Sequence, residues 1–225
     1  MVDVLLAHQA LAEPARLAIA QALLTRDLSP GEIGATWCLS TSLVAHHVGV
    51  LVDAGLIVRR RGEHDARRSY LSLHRQDPQV LALVDVGMEP TPAPRRVAFV
   101  CTRNSARSKL AAAYWKRVSR IPAVDAGTAP ADSPHPLTLE TAARRGLDLD
   151  DQMHDAATTL NADDLVIVVC DHAHERLGFR AERLHWSVSD PVARPVTSSF
   201  DAACDDIQAR IGQLEHTLRA IGSAA

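Results

Sequence analysis

A cysteine, an arginine and a serine stand close together in "AFVCTRNSARSKLAAAYW", Ala98–Trp115, where an apolar run ends on Cys101 and Arg107 follows six residues later. A strand that stops on Cys101 and turns into a helix near Ser105 aims a thiol and several backbone N–H groups at one point. Such a point holds an oxyanion. The thiolate, not the thiol, is the nucleophile. The N–H groups of the turn through Thr102, Arg103, Asn104, Ser105 and Ala106, the positive end of the following helix and the Arg107 guanidinium all favour the anionic sulfur. The same groups bind a tetrahedral anion, with Arg107 as a planar two-pronged donor. Asn104 tolerates the left-handed backbone that a tight cradle needs, and Ser108 can donate its hydroxyl to the sulfur. Whether this thiol cleaves a phosphate ester or reduces an oxyanion stays open at this level.

Other candidates are fewer. Cys170 ends the apolar run "DLVIVVC" and reads either as a buried core thiol or as a second reactive one. Asp190–Pro191, in "SVSDPVARP", reads alone as a turn. Cys204 falls on one helical stripe with Phe200, Ile207, Ile211, Leu214 and Leu218, which assigns it to a core. "CDHAHE" brings Cys170, His172 and His174 together, but alternating histidines do not share a helix face, so no metal is expected. His135, in "SPHPL", reads as a loop residue near the site mouth.

The elements that must position these groups alternate. Strands are expected at Arg96–Val100, Ala123–Ala126, Leu165–Cys170 and Arg183–His185. Helices are expected near Ser105–Val118, Pro136–Arg145, Ala173–Phe179 and Ser199–Ile221. That order predicts an α/β unit over residues 96–225, with a four-stranded parallel sheet whose ligands bind beyond the strands' carboxyl ends. Cys101 and Cys170 both lie there.

Before this unit, "GMEPTPAPRR", Gly87–Arg96, carries three prolines and reads as a linker, placed at residues 89–95. The preceding residues 1–88 read as an α+β unit, helices closing in a hairpin. "EPARLAIAQALL" has helical apolar spacing with Pro14 in a first turn. "SPGEIGATW" opens on Ser29. "STSLVAHHVGVLVDAGL" has Ser40 as N-cap and Gly55 as its stop. On this last helix Val44, Val48, Leu51 and Val52 form an apolar stripe opposite Thr41, Ser42, Ala45, His46 and Gly49. Such a pair, closely joined through Leu39 and Ser40, suits a helix-turn-helix. Strands Leu56–Arg60 and Arg68–Leu73 around "GEHDA" then make a wing.

The 225 residues are 47% hydrophobic with a net charge of −3, so two domains are expected and coating of nucleic acid by bulk charge is excluded. No apolar run approaches the ~20 residues of a membrane span, and the first residues do not have the pattern of a signal peptide. Four dispersed cysteines fit free thiols in a reducing cytoplasm rather than a disulfide framework. The protein is accordingly expected to be cytoplasmic, with no membrane partner.

With Cys101, Arg107, Ser108 and Asp190–Pro191 in view, residues 95–221 resemble the low-molecular-weight protein tyrosine phosphatases, a family that includes thiol-dependent arsenate reductases. The resemblance implies Cys101 as nucleophile, Arg107 as oxyanion binder and Asp190 as general acid, with Arg103 where the family usually has glycine. Ala106 stands where phosphatases commonly carry a second cysteine, and Val192 where they often have tyrosine, so the spelling is more like the reductases. Cys170 matches a resolving cysteine of the thioredoxin-linked branch, while Leu177 stands where that branch has its third. No bound cofactor is implied, only an external reductant: thioredoxin or a low-molecular-weight thiol. Either a Cys101–Cys170 disulfide is reduced directly, or a small external thiol resolves Cys101. Residues 5–75 resemble ArsR-type repressors, carried by "LAEPARLAIAQALL", "LSTSLVAHHVGVLVDAGLI" and the arginine hairpin. This implies DNA as partner, read by Thr41, Ser42, His46 and His47, with Arg59, Arg60, Arg61, Arg67 and Arg68 on phosphates or the minor groove, and a homodimer. The region where that family often pairs cysteines has none, and only Cys38 follows, so a self-contained arsenite sensor is not expected. Three functions emerge: a DNA-binding regulator fused to an arsenate reductase, the same regulator fused to a phosphatase, or a regulator whose second domain only senses an oxyanion.

Overall fold

The computed structural model describes residues 2–63, 65–86, 92–177 and 183–219. Residues 87–91 of the expected linker and the ends of two expected helices, Phe179 and Ile221, lie outside the described residues. The chain forms two compact units, Met1–Glu89 and Pro90–Ala225. Among the described residues no single helix is long and apolar enough to cross a membrane.

The first unit runs α1 (Val4–Leu11), α2 (Pro14–Ala22), α3 (Pro30–Trp37), α4 (Thr41–Asp53), β1 (Ile57–Arg61), β2 (Ser69–Leu73) and α5 (Pro78–Val84). Ser29 and Glu32 close a reciprocal capping box on α3, with Pro30 in its first turn, so the start of this helix is encoded locally. The helix ends on Cys38 at φ 53°, a left-handed residue that reverses the chain into the Ser40 cap of α4. The two helices are bent 115° across this break. β1 and β2 pair antiparallel from Ile57↔Leu73 to Arg61↔Ser69. Ile19, Leu23, Ile33, Val44, Leu51 and Leu71 are among the side chains buried in the core. Two expectations on α4 fail here. Val52 is 39% exposed rather than part of the apolar stripe. His47 is buried instead, its Nδ1 3.6 Å from Glu13 Oε2 at the head of α2.

The second unit runs β3 (Val97–Cys101), α6 (Arg107–Val118), β4 (Ala123–Gly127), α7 (Pro136–Arg144), α8 (Ala156–Thr159), β5 (Leu165–Val168), α9 (Asp171–Arg176), β6 (Arg183–His185) and α10 (Thr197–Arg219). Its four strands are all parallel, in the order β4-β3-β5-β6. β3 is buried at every residue, as a central strand covered on both faces must be. Phe99 lies between Trp115 and Trp186, with ring centroids 6.0 and 5.9 Å away. Cys204 is buried on α10 with Phe200, Ile207, Ile211, Leu214 and Leu218.

The borders move in informative ways. β3 extends to Cys101, which pairs with Gly127. α6 starts at Arg107 rather than Ser105, so five residues are freed for a loop. β5 stops at Val168, and Cys170 caps α9 by accepting a hydrogen bond from the Ala173 N–H. His135 is not a loop residue: it caps α7 and stacks on Phe200 with ring centroids 5.0 Å apart.

Candidate active site

The loop from Cys101 to Arg107 is built by its carbonyls. Those of Cys101, Thr102, Arg103 and Ser105 accept hydrogen bonds from the N–H groups of Thr128, Ala129, Ala131 and His135. Thr138 Oγ1 gives the Ser105 carbonyl a second bond at 2.9 Å. In a trans peptide the N–H of the next residue points opposite to the C=O. The N–H groups of Thr102, Arg103, Asn104 and Ala106 therefore face away from that segment, and the Asn104 N–H reaches the Cys101 sulfur at 3.2 Å. Asn104 adopts φ 52°, the left-handed turn its side chain tolerates. The loop lies directly over Gly127, where a Cβ would stand 2.9 Å from both Asn104 N and Thr102 O.

Cys101 itself is buried, and Ser108 Oγ lies 3.2 Å from its sulfur. Ala106, the N-cap residue of α6, offers no side-chain cap, so the helix's first N–H groups remain available to an anion. The Arg107 guanidinium donates to the Val188 carbonyl at 2.9 Å and lies 3.3 Å from Asp190 Oδ1. Asp190 is thereby held beside Arg107, with its side chain 35% exposed. Arg103 is exposed at the loop's second turn residue.

Cys170 is fully buried, and its sulfur lies 3.4 Å from Thr102 Oγ1, inside the same loop. Burial pushes this thiol up to about 11, opposed by the Arg107 charge and reinforced by Cys101. The structure thus brings Cys101, Thr102, Asn104, Arg107, Ser108, Cys170 and Asp190 to one place.

Sequence reasoning missed a buried support behind the loop. Lys109 Nζ donates to Asp125 Oδ1 at 2.8 Å and to the carbonyls of Asp150 and Gln152 at 2.9 and 2.6 Å. Asp125 in turn accepts from Asn104 Nδ2 at 2.7 Å. The available signal was an aspartate inside the otherwise apolar strand "AVDAG", since a buried carboxylate demands a partner. Among the described residues Asp125, Asp150 and His154 have ligand atoms within 4.8 Å of one another. The Lys109 ammonium already supplies the positive charge there.

In the first unit Thr41, Ser42 and His46 lie exposed along one side of α4, and a Cβ at Gly49 would meet nothing within 4 Å. His47 does not belong with them, for it is turned into the core. Arg59, Arg61, Arg67 and Arg68 are exposed on the hairpin, Arg60 is half-buried, and Arg67 bonds Asp65 at 3.1 Å.

A family model described as low molecular weight phosphotyrosine protein phosphatase matches residues 96–223. Arsenate reductases of Brevibacillus brevis and of Bacillus cereus strain G9842 are each 29% identical to this chain, over 129 and 130 residues. Each match covers 55% of this chain and 96% of the relative. The tyrosine phosphatase Wzb from Escherichia coli K30, solved in complex with sulphate, superposes with a TM-score of 0.50 at 16% identity, over 56% of this chain and 99% of that one. That last likeness concerns the fold alone.

The Gly127 contact yields a test. Gly127→Ala must push the loop backbone aside, at a cost of about 1–3 kcal/mol in denaturant unfolding, and sulfate should no longer protect Cys101 from iodoacetamide. Unchanged stability with intact protection would mean that the loop does not need this close approach.

Proposed function

The chain belongs to the low molecular weight phosphotyrosine protein phosphatase family, and from that premise we propose that its enzymatic second unit reduces arsenate with thiols while its first unit binds DNA. The observation that carries the enzymatic reading is the Cys101 sulfur, 3.2 Å from both Asn104 N and Ser108 Oγ, at the end of a loop that closes on the buried Arg107. Arsenate is held by the loop N–H groups and Arg107. The Cys101 thiolate attacks arsenic, and an oxygen leaves as water with a proton from Asp190. A second thiol then attacks the Cys101 sulfur. The sulfur–arsenic bond breaks with its electron pair on arsenic, so arsenic(V) becomes arsenic(III) and two thiols become one disulfide.

Cys170 is that second thiol in our reading, supported by its Thr102 contact at 3.4 Å. An external thiol, thioredoxin or a small one, then restores both cysteines. Arsenate rather than an aryl phosphate is supported by Val192, 38% exposed after Asp190–Pro191, which provides no aromatic platform. The runner-up is a phosphatase, for which the same cradle, nucleophile and acid would serve with water in place of the second thiol.

For the first unit we read α3 and α4 as a helix-turn-helix and the β1–β2 hairpin as a wing. The 115° bend and the exposed Thr41, Ser42 and His46 support a recognition helix, and Arg60, Arg61, Arg67 and Arg68 support phosphate contact. A homodimer through the N-terminal helices completes this reading. Val4, Leu5 and Leu6 of α1, exposed at 43, 68 and 48%, offer it an apolar face.

Steady-state kinetics should give arsenate, with thioredoxin or glutathione as donor, a kcat/KM at least ~100-fold above that for an aryl phosphate, about 2.7 kcal/mol of discrimination. Ready aryl phosphate turnover without arsenate turnover would establish the phosphatase. Cys170→Ser should lower thioredoxin-coupled turnover at least ~10-fold. Since Cys170 must ionise to attack and its thiol lies up at about 11, the thiolate fraction, and with it a limiting resolving step, rises about tenfold per pH unit below that value. A flat profile with full Cys170→Ser turnover would remove Cys170 from the reaction. For the first unit, binding to the protein's own promoter DNA should weaken with salt, and Arg60→Ala with Arg61→Ala should reduce the log–log salt slope by about 2. A slope indifferent to both substitutions would contradict the wing.

A further inference from the structure

The Lys109 ammonium lies two hydrogen-bonded side chains away from Ser108, and what it does there can be followed atom by atom. The backbone N–H of His154 can only donate, and it meets Asn104 Oδ1 at 2.8 Å. The amide is therefore oriented without ambiguity, with its NH2 facing the other way. One of those hydrogens goes to Asp125 Oδ1 at 2.7 Å, the other to Ser108 Oγ at 3.0 Å. A hydroxyl that accepts at this angle of its shell still has one proton to place. The remaining neighbour is the Cys101 sulfur at 3.2 Å. The Ser108 proton is thus directed at the nucleophile, where it stabilises a thiolate and disfavours the protonated thiol.

The direction depends on Asp125 remaining a pure acceptor, because an NH2 group cannot receive a bond from a protonated carboxyl. Asp125 is 2% exposed, and water cannot maintain its charge. Lys109, at 1%, does so through Nζ, which also spans the carbonyls of Asp150 and Gln152. We propose that Lys109 is a positioning residue for the nucleophile: through Asp125, Asn104 and Ser108 it orients the hydrogen bond that keeps the Cys101 sulfur anionic. The inference rests on Cys101 as the nucleophile, but it concerns the state of the thiol and holds whichever oxyanion is the substrate.

Other charged and titratable groups around the sulfur are Arg107 from α6, Cys170 from the head of α9, and Asp190 through its contact with Arg107. On the far side of Asp125 stand Asp150 and His154, bonded to each other at 3.1 Å. Substituting Lys109 leaves Arg107, Cys170 and Asp190 as they are and removes its bonds to the Asp150 and Gln152 carbonyls.

The test reads the thiol directly. In the full chain, the rate of Cys101 alkylation by iodoacetamide is followed against pH by peptide-resolved mass spectrometry, which separates it from exposed Cys38. Lys109→Met should move the midpoint of the alkylation profile up by about one pH unit and slow alkylation about tenfold at pH values below both midpoints. Ser108→Ala should do the same, and the two together no more than either alone. Lys109→Arg should restore part of the rate. Lys109→Met strands a buried carboxylate and can unfold the chain, so the double variant Lys109→Met with Asp125→Leu, which leaves no buried charge, carries the measurement in that event. A folded variant of either kind with the wild-type alkylation profile overturns the proposal. Failure of both to fold, read by circular dichroism, overturns it too, since the pair would then serve stability alone.

Discussion

One peptide geometry governs the second unit. Between Cys101 and Arg107 the chain turns its carbonyls outward to the segment from Thr128 to His135, and planarity then turns its N–H groups inward. A concave set of donors is an unfavourable thing to gather in the absence of an anion. Three features make it possible here: the left-handed Asn104, the missing side chain at Gly127, and a parallel sheet whose central strand delivers Cys101 to its carboxyl edge. The uncapped start of α6 adds its dipole to the same point. In the proposed reaction, binding, nucleophile activation and charge stabilisation are therefore one construction rather than three.

The support behind this loop is as buried as the loop itself. A carboxylate and an ammonium withdrawn from water lose several kcal/mol of hydration each, and removing only one strands the other. Such a pair is poor value as a source of stability. It is well suited to holding an amide and a hydroxyl in one orientation, which is what Asp125 does for Asn104. Cys170 shows the opposite use of burial. Its thiol is pushed up to about 11 by burial, so it stays protonated near neutral pH.

Much of this could be read along the chain. The octapeptide from Cys101 to Ser108 marks the loop because a nucleophile, a left-handed residue, an arginine and a hydroxyl seldom occur at this spacing. Alternating strand and helix periods indicated the parallel sheet, and capping residues located α3 and α4. What stayed hidden depends on contacts across the sequence. Lys109 looks like a surface residue of α6 until β4 supplies Asp125 opposite it, and Thr138 gains its loop contact only when α7 packs. His47 is polar by composition but turned inward by the α4 helical period, toward Glu13. The end of β5 was misjudged because an apolar run does not say where hydrogen bonding stops. Cys170 turns out to cap a helix, and its sulfur, still buried in the core, meets Thr102.

The most direct measurement is a single turnover. The fully reduced chain, mixed with one equivalent of arsenate and no other thiol, is quenched in acid and mapped by mass spectrometry, with arsenic speciated in parallel. The account predicts one arsenite released per chain and a disulfide joining Cys101 to Cys170. Arsenate recovered unchanged, with both thiols free, would contradict it.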